Sequence, residues 1–317
     1  MQDDNKMVSV IVPVYNAEKT ISMCIESLLN MEYSNKEIIV VDNGSTDKTV
    51  EIARKYNVKI LSERRRNSYI ARNTGVREAH GEIIAFTDAD CVVDKFWCKN
   101  LVKHYYREDV GGVGGPILPY AWPYISYYPT NIIEKFAVMS HKTAFPDHSS
   151  MSKKYHELRR KNNVLHSGTI YTANASFRKD ILVRLGGFDE KFFSGGDIDL
   201  SYRILKSGYK LIWDNDAVVY HIPRASFKGL LKQFYRYGTA CAPLVKKHFT
   251  KKYYIVAAHY KRIFKNFLIF FFRLASYPFS KERDILFVLY PMLDNLILLS
   301  LILGKITGSI KHGVVVL

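Results

Sequence analysis

A doubly wound, mostly parallel α/β sheet flanked by helices, followed by a helical C-terminal region, is the fold that these 317 residues predict. Short β-branched and apolar runs alternate with stretches of helical spacing, which is the rhythm of a parallel sheet. The apolar runs stop abruptly at polar turn formers, as strands buried on both faces do. After His221 the rhythm ends, and basic amphipathic and then apolar helical stretches follow. Hydrophobic residues make up 48% of the chain and aromatics 14%, ample for a folded core. A net charge of +16 favours a nucleic acid, an anionic phosphoester substrate or an anionic membrane face as partner.

The first run, residues 8–14, ends in Tyr15-Asn16, and residues 17–30 place Ile21, Ile25, Leu28 and Leu29 at helical spacing. A second strand over 37–41 ends in Asp42-Asn43-Gly44-Ser45-Thr46-Asp47, turn formers that also cap a helix over 48–56. A third strand, 58–61, leads to Arg64-Arg65-Arg66, read as a solvated charge run. The fourth, Ile83 to Phe86, stops at Thr87 and is followed at once by Asp88 and Asp90. Ligands of open α/β sheets collect beyond the carboxyl ends of the strands. Two carboxylates there are a candidate seat for a hard divalent cation carrying a diphosphate. An Asp-x-Asp taken alone reads as a solvated turn with Asp90 or Asp94 as an N-cap. No G-x-G-x-x-G follows the first strand, where Pro13-Val14-Tyr15-Asn16 stands instead, so a nicotinamide or flavin dehydrogenase is excluded.

Residues 116–167 break the rhythm with Pro116, Pro119, Pro123 and Pro129 and dense Tyr and Trp. A strand is expected over 169–177, a helix over 179–185, and further strands over 209–213 and 217–220. The four cysteines form no C-x-x-C pair, which suits reduced core or bystander thiols in a cytoplasmic compartment. The polar N-terminal residues have no basic n-region, so no signal peptide is expected.

Val-Ser-Val-Ile-Val-Pro-Val-Tyr-Asn at 8–16, Ile-Val-Val-Asp-Asn-Gly-Ser-Thr-Asp at 39–47, Ala-Arg-Asn-Thr-Gly at 71–75 and Asp-Ala-Asp at 88–90 resemble, in this order and spacing, glycosyltransferase family 2. The resemblance implies a GT-A fold, one Rossmann-like domain over 1–221 with 116–167 as a variable acceptor-side insertion; the basic and apolar helical stretches of residues 222–317 are read from their composition as a membrane-associated helical tail. It implies a nucleotide-sugar donor bound by Pro13, Tyr15, Asp42, Arg72 and Asp88, with Asn43 replacing a second aspartate common in the family. It also implies a divalent cation, Mn2+ or Mg2+, held by Asp88 and Asp90 and, after the last strand, by His221. A lone histidine is otherwise more often structural, and a lone arginine such as Arg72 more often a surface helix residue. Gly195-Gly196-Asp197-Ile198-Asp199-Leu200 resembles the family's Glu-Asp-x-Asp-Leu segment, with Gly196 in place of the glutamate. Asp197 is thereby the catalytic base of a single, inverting displacement, and Asp199 is the reserve. Taken alone, Asp197 would be an N-cap. Gln233-Phe234-Tyr235-Arg236-Tyr237 resembles the Gln-x-x-Arg-Trp motif of processive members, which points Gln233, Arg236 and Tyr237 at the acceptor.

The expected acceptor is a glycan or lipid-linked hydroxyl at the cytoplasmic membrane face. The tail lysines are assigned to an anionic bilayer and not to nucleic acid, because apolar stretches at 267–272 and 285–303 follow them. Residues 285–303 are long enough to cross a hydrocarbon core of ~30 Å. Asp294 and Asn295 sit at the centre, where an aspartate costs roughly 2.5 to 3.5 kcal/mol. A spanning helix, an in-plane or re-entrant pair broken near Pro278, and a helix packed on protein all stay open. A cut after Phe249 is expected to leave a soluble, nucleotide-binding protein. Two rival readings remain, a nucleotidyltransferase and a catalytically silent membrane- or nucleic-acid-binding module.

Overall fold

The computed structural model describes residues 6–120, 164–166, 168–222, 226–248, 253–254, 257–279 and 285–316. Most of the expected insertion at 116–167 therefore lies outside the described residues. The described residues divide after Ile222 into two compact units.

The first unit is built on an eight-stranded sheet of order β3-β2-β1-β4-β9-β6-β10-β8. Its strands β1 (Val8–Val14), β2 (Lys36–Asp42), β3 (Lys59–Ser62) and β4 (Ile83–Thr87) pair in parallel. Val8, Val10, Ile11, Val12, Ile39, Ile84 and Phe86 are fully or almost fully buried, as strands covered on both faces require. The intervening helices are α1 (Ile21–Leu29), α2 (Thr49–Ala53) and α3 (Ser68–Glu78). Then follow β5 (Cys91–Val93), α4 (Trp97–Val102), β6 (Val110–Gly114), β7 (Ile117–Pro119) and β8 (Val164–His166). The unit closes with β9 (Asn174–Arg178), α5 (Lys179–Arg184), α6 (Gly196–Lys206), β10 (Lys210–Asp214) and β11 (Val219–His221).

The strand expected over 169–177 begins only at Asn174, because Tyr171 to Asn174 closes a turn, Asn174 N donating to Tyr171 O at 2.9 Å. That strand, β9, runs antiparallel between β4 and β6, so the sheet is mixed on this side. A second sheet has three strands in the order β5-β11-β7. The Asn174 side chain ties the two: its Oδ1 accepts from Trp97 Nε1 at 2.8 Å, and its Nδ2 donates to Pro116 O at 2.8 Å and Ala217 O at 2.7 Å.

The second unit holds α7 (Phe227–His248), β12 (Tyr253–Tyr254), α8 (Ala257–Ser276), α9 (Ile285–His312) and β13 (Val315–Val316). The basic helix α7 runs unbroken to His248. A 3-10 turn at Tyr277–Phe279 breaks the pair α8–α9 where Pro278 predicted it. Leu230 and Phe234 of α7 pack on Leu286 and Ile297 of α9. A cut after Phe249 would strip α7 of that partner.

Candidate active site

The candidate residues gather where the chain leaves β1, β2 and β4. Register sets Val14 beside Asp42 across β1 and β2, and Asn43 N donates to Val14 O at 2.8 Å. Asp42 is buried, and its Oδ1 accepts from Ser45 N at 3.1 Å, a turn made possible by Gly44 at φ 81. Asn43 spends its amide on two carbonyls, Glu63 O at 2.9 Å and Arg65 O at 2.7 Å. The residue that replaces the family's second aspartate thus holds the loop after β3. Pro13 lies in β1 and Tyr15 is exposed just past its end. The Arg66 guanidinium stacks 4.3 Å from the Tyr15 ring centroid and donates to its hydroxyl. Arg65 pairs with Glu63 at 3.1 Å and with Glu190 at 2.9 Å. The arginine run read as merely solvated therefore has two engaged members.

Helix α3 starts at an N-cap that also fixes its place. Asn67 Oδ1 accepts from Tyr69 N at 2.9 Å, while Asn67 Nδ2 donates to Glu190 O at 3.0 Å and Phe192 O at 2.8 Å. Tyr69 and Arg72, one turn apart, share a helix face. Arg72 is only 3% exposed, not a surface helix residue, and its Nη2 donates to Asp88 Oδ1 at 2.5 Å. Its Nε is buried without a hydrogen-bond partner among the described residues. Such an orphan donor needs an explanation, and an anionic ligand supplies one. Burial raises the Asp88 carboxyl above its usual range; Arg72 draws it down and Asp90 pushes it up.

The small sheet clamps the Asp88–Asp90 turn. His221 on β11 registers opposite Cys91 on β5, and Ile222 N donates to Asp90 O at 2.8 Å. This pairing brings His221 Nε2 to 3.5 Å from Asp90 Oδ2. Among the described residues no three His, Cys, Asp or Glu side chains form a complete cage. Two protein donors beside a partly exposed carboxylate nevertheless suit a hard cation that fills its shell with water and substrate phosphate. Asp88 already gives one oxygen to Arg72. Burial pushes the Cys24 and Cys91 thiols up, with Asp88 and Asp90 adding to it, so they are inert neighbours, as expected.

Asp197 stands in the first turn of α6, after Gly195 at φ 77. Its Oδ1 accepts from Ile198 N at 3.0 Å and from the Tyr69 hydroxyl at 3.3 Å. Burial raises its carboxyl above the usual range, opposed by the Ile198 N–H and the Arg72 charge. A Cβ at Gly196 would lie 2.8 Å from the Tyr69 ring, so glycine at the family's glutamate position makes room for Tyr69. Asp199 is fully buried and pairs with Arg203 at 2.8 Å, one turn on. Arg203 also donates to Leu185 O at 2.8 Å and Gly187 O at 2.7 Å. Tyr69 escaped the sequence reading; its spacing of three from Arg72 was the available signal. Gln233, Arg236 and Tyr237 lie on α7 of the second unit, where Gln233 Nε2 donates to Tyr237 Oη at 2.6 Å and Arg236 is exposed.

The profile of Glycosyl transferase family 2 matches residues 9–186. The chain belongs to glycosyltransferase family 2. Glycosyltransferase AglE of Haloferax volcanii is 32% identical over 239 residues, 73% of this chain and 71% of that protein. The dolichyl N-acetyl-alpha-D-glucosaminyl phosphate 3-beta-D-2,3-diacetamido-2,3-dideoxy-beta-D-glucuronosyltransferase of Methanococcus voltae is 27% identical, over 76% of this chain and 74% of that protein. Mannosyltransferase PcManGT from Pyrobaculum calidifontis, solved with GDP-Man and Mn2+, has a TM-score of 0.57 at 18% identity over 98% of this chain and 76% of that one. GalNAc-T7, solved with UDP, GalNAc and Mn2+, has a TM-score of 0.55 at 20% identity over 71% of this chain and 44% of that one. At these identities the likeness shows the fold, which is GT-A. The enzyme is a glycosyltransferase, which sets the nucleotidyltransferase reading aside.

Proposed function

We propose that this enzyme moves a sugar, with inversion, from a UDP-linked donor to a hydroxyl of a glycan or lipid-linked acceptor at the cytoplasmic membrane face, with Asp197 as base. One observation carries the reading: Tyr69 and Arg72, one turn apart on α3, contact Asp197 and Asp88 respectively. The base candidate and the diphosphate candidate are thus held by one rigid helix face. The acceptor oxygen attacks the anomeric carbon, the bond to the diphosphate breaks, and Asp197 takes the hydroxyl proton. Its raised affinity for protons makes it a stronger base than an exposed carboxylate. Arg72 offers its buried guanidinium to the charge that develops on the departing diphosphate. A divalent cation held by Asp90 and His221, with Asp88 beside them, would offset the same charge, and the imidazole favours Mn2+ over Mg2+. Support for UDP and Mn2+ comes from GalNAc-T7, and for a lipid-linked acceptor from the Methanococcus voltae relative. Pro13, Tyr15 and Asp42 are assigned to the nucleoside and Gln233, Arg236 and Tyr237 to the acceptor side.

A screen of nucleotide sugars for hydrolysis and transfer tests this, with Asp197→Asn as control; hydrolysis that is unaffected by that change would sink it. Asp90→Ala is expected to abolish the dependence of UDP affinity on Mn2+, because it removes an oxygen ligand. Calorimetric titration with and without the metal checks this, and an unchanged Mn2+ dependence counts against the site. Tyr69→Phe removes a hydrogen bond that favours ionised Asp197, so its carboxyl should rise further. The acid limb of the rate profile is then expected to move to higher pH. A profile that stays in place would show that Tyr69 only packs.

A further inference from the structure

The described tail helices arrange polar and apolar faces in a way that bears on the three readings of residues 285–303. On α9, which is long and apolar enough to cross a membrane, Asp294 is 1% and Asn295 3% exposed. Both are met by α8. Arg262 Nε and Nη2 donate to Asp294 at 2.9 and 2.8 Å, and Asn266 Nδ2 donates to Asp294 at 2.7 Å and Asn295 at 2.9 Å. Arg273 Nη1 donates to Phe287 O at 2.7 Å. These contacts turn the Arg262, Asn266 and Arg273 face of α8 onto α9. Helical spacing puts Phe264, Phe267, Leu268 and Phe271 on the opposite face, and Phe264 is 68%, Phe271 62% and the adjoining Phe272 74% exposed. Exposed Lys261 and Lys265 flank that apolar stripe.

Helix α7 covers α9 from another side. The Gly238 and Gly304 backbones touch so closely that a Cβ on either would lie 2.1 Å from a carbonyl oxygen of the partner helix, and Ser300 Oγ donates to Leu231 O at 2.8 Å. The outer face of α7 exposes Lys228, Lys232 and Arg236, spaced by four. A membrane-crossing α9 would carry this row of cations into hydrocarbon, where each is costly. Residues 222–317 hold sixteen Lys or Arg against three acidic residues, Glu282, Asp284 and Asp294. That balance matches an anionic lipid surface.

We infer that the second unit is an in-plane anchor: α8 lays Phe264, Phe267, Leu268, Phe271 and Phe272 into an anionic bilayer surface, and α9 packs on protein without crossing. This rests on the membrane-face reading above. Large apolar residues beside lysines on one helix face are the pattern of interfacial binding, in which the rings enter the acyl boundary and the ammonium groups stay among the headgroups.

The test adds full-length protein, tagged at its C-terminus, to sealed vesicles of phosphatidylcholine alone or equimolar with phosphatidylglycerol. Sedimentation with the anionic vesicles and a tag open to external protease are expected. Phe271→Ser with Phe272→Ser should weaken binding about tenfold or more. Lys261→Glu with Lys265→Glu should abolish the preference for phosphatidylglycerol. All four positions are exposed, so melting temperatures and donor hydrolysis in detergent should stay at wild-type values. A protected tag, or binding that both double changes leave intact, overturns the inference while the membrane-face reading survives. Failure of the wild-type chain to bind anionic vesicles overturns both. A shift from dimer to monomer in the phenylalanine variant, with vesicle binding unchanged, assigns the stripe to a second copy and also overturns it.

Discussion

Asp197→Asn is expected to bind donor nucleotide with near wild-type affinity and to transfer sugar on the order of 10² to 10⁴ times more slowly, the usual range for a lost general base. The substitution keeps the size of the side chain and leaves an oxygen to accept from Ile198 N and the Tyr69 hydroxyl. What disappears is the carboxylate that we propose takes the acceptor's proton. The same change should raise stability slightly. Burial lifts the folded-state carboxyl above its unfolded value, so its stabilising contribution is complete below the unfolded value and is lost as pH rises through the folded one. As pH rises the wild type therefore bears the cost of ionising a half-buried carboxylate, and the variant does not. Thermal melting at pH 7 and 5 checks the sign: the gain should shrink at the lower pH. A variant that transfers at the wild-type rate would show that the proton leaves by another path.

Asp199→Asn should do the opposite. Asp199 is fully buried against Arg203, and removing one partner of a buried pair costs roughly 3 to 5 kcal/mol. The effect should fall at the low end, because Arg203 keeps its bonds to Leu185 O and Gly187 O. In a unit of this size that corresponds to a melting temperature lower by on the order of 10 °C. The pair also supports the site at one remove. Gly187 sits against Asn73, whose side chain exchanges two hydrogen bonds with the Phe188 backbone, at 2.8 and 2.9 Å. Helix α3 is thereby tied to the turn that Arg203 holds. Below its melting transition the variant should turn over within a few-fold of wild type. If instead it melts like wild type but is dead, the base is Asp199 and the assignment of Asp197 fails.

Much of this protein was legible in one dimension because local chemistry determines it. Strands β1, β2 and β4 follow from β-branched and apolar runs that end at turn formers, and Asp42, Asp88 and Asp90 follow from standing at those ends. The break between α8 and α9 follows from Pro278, which cannot continue a helix. The four motifs that carry the family lie within the first ninety residues, where β1, β2 and β3 are each followed by a helix.

Long-range pairing was not legible. His221 reaches Asp90 only because β11 pairs with β5, a register that no local pattern encodes. Gly196 read as a missing glutamate until the Tyr69 ring was found in the space a side chain would need. Asp197 and Asp199, two residues apart in one acidic phrase, were separated by the direction each side chain takes from its helix: one toward Tyr69, the other into an ion pair with Arg203. Asp294 and Asn295, which sequence could count only as a cost, proved to be paired with Arg262 and Asn266. The sequence by itself determined which residue types stand at the strand ends, because propensity and turn chemistry act over a few neighbours. Only the tertiary structure decided which of them face one another, because burial and hydrogen-bond satisfaction are settled by partners that lie far away along the chain.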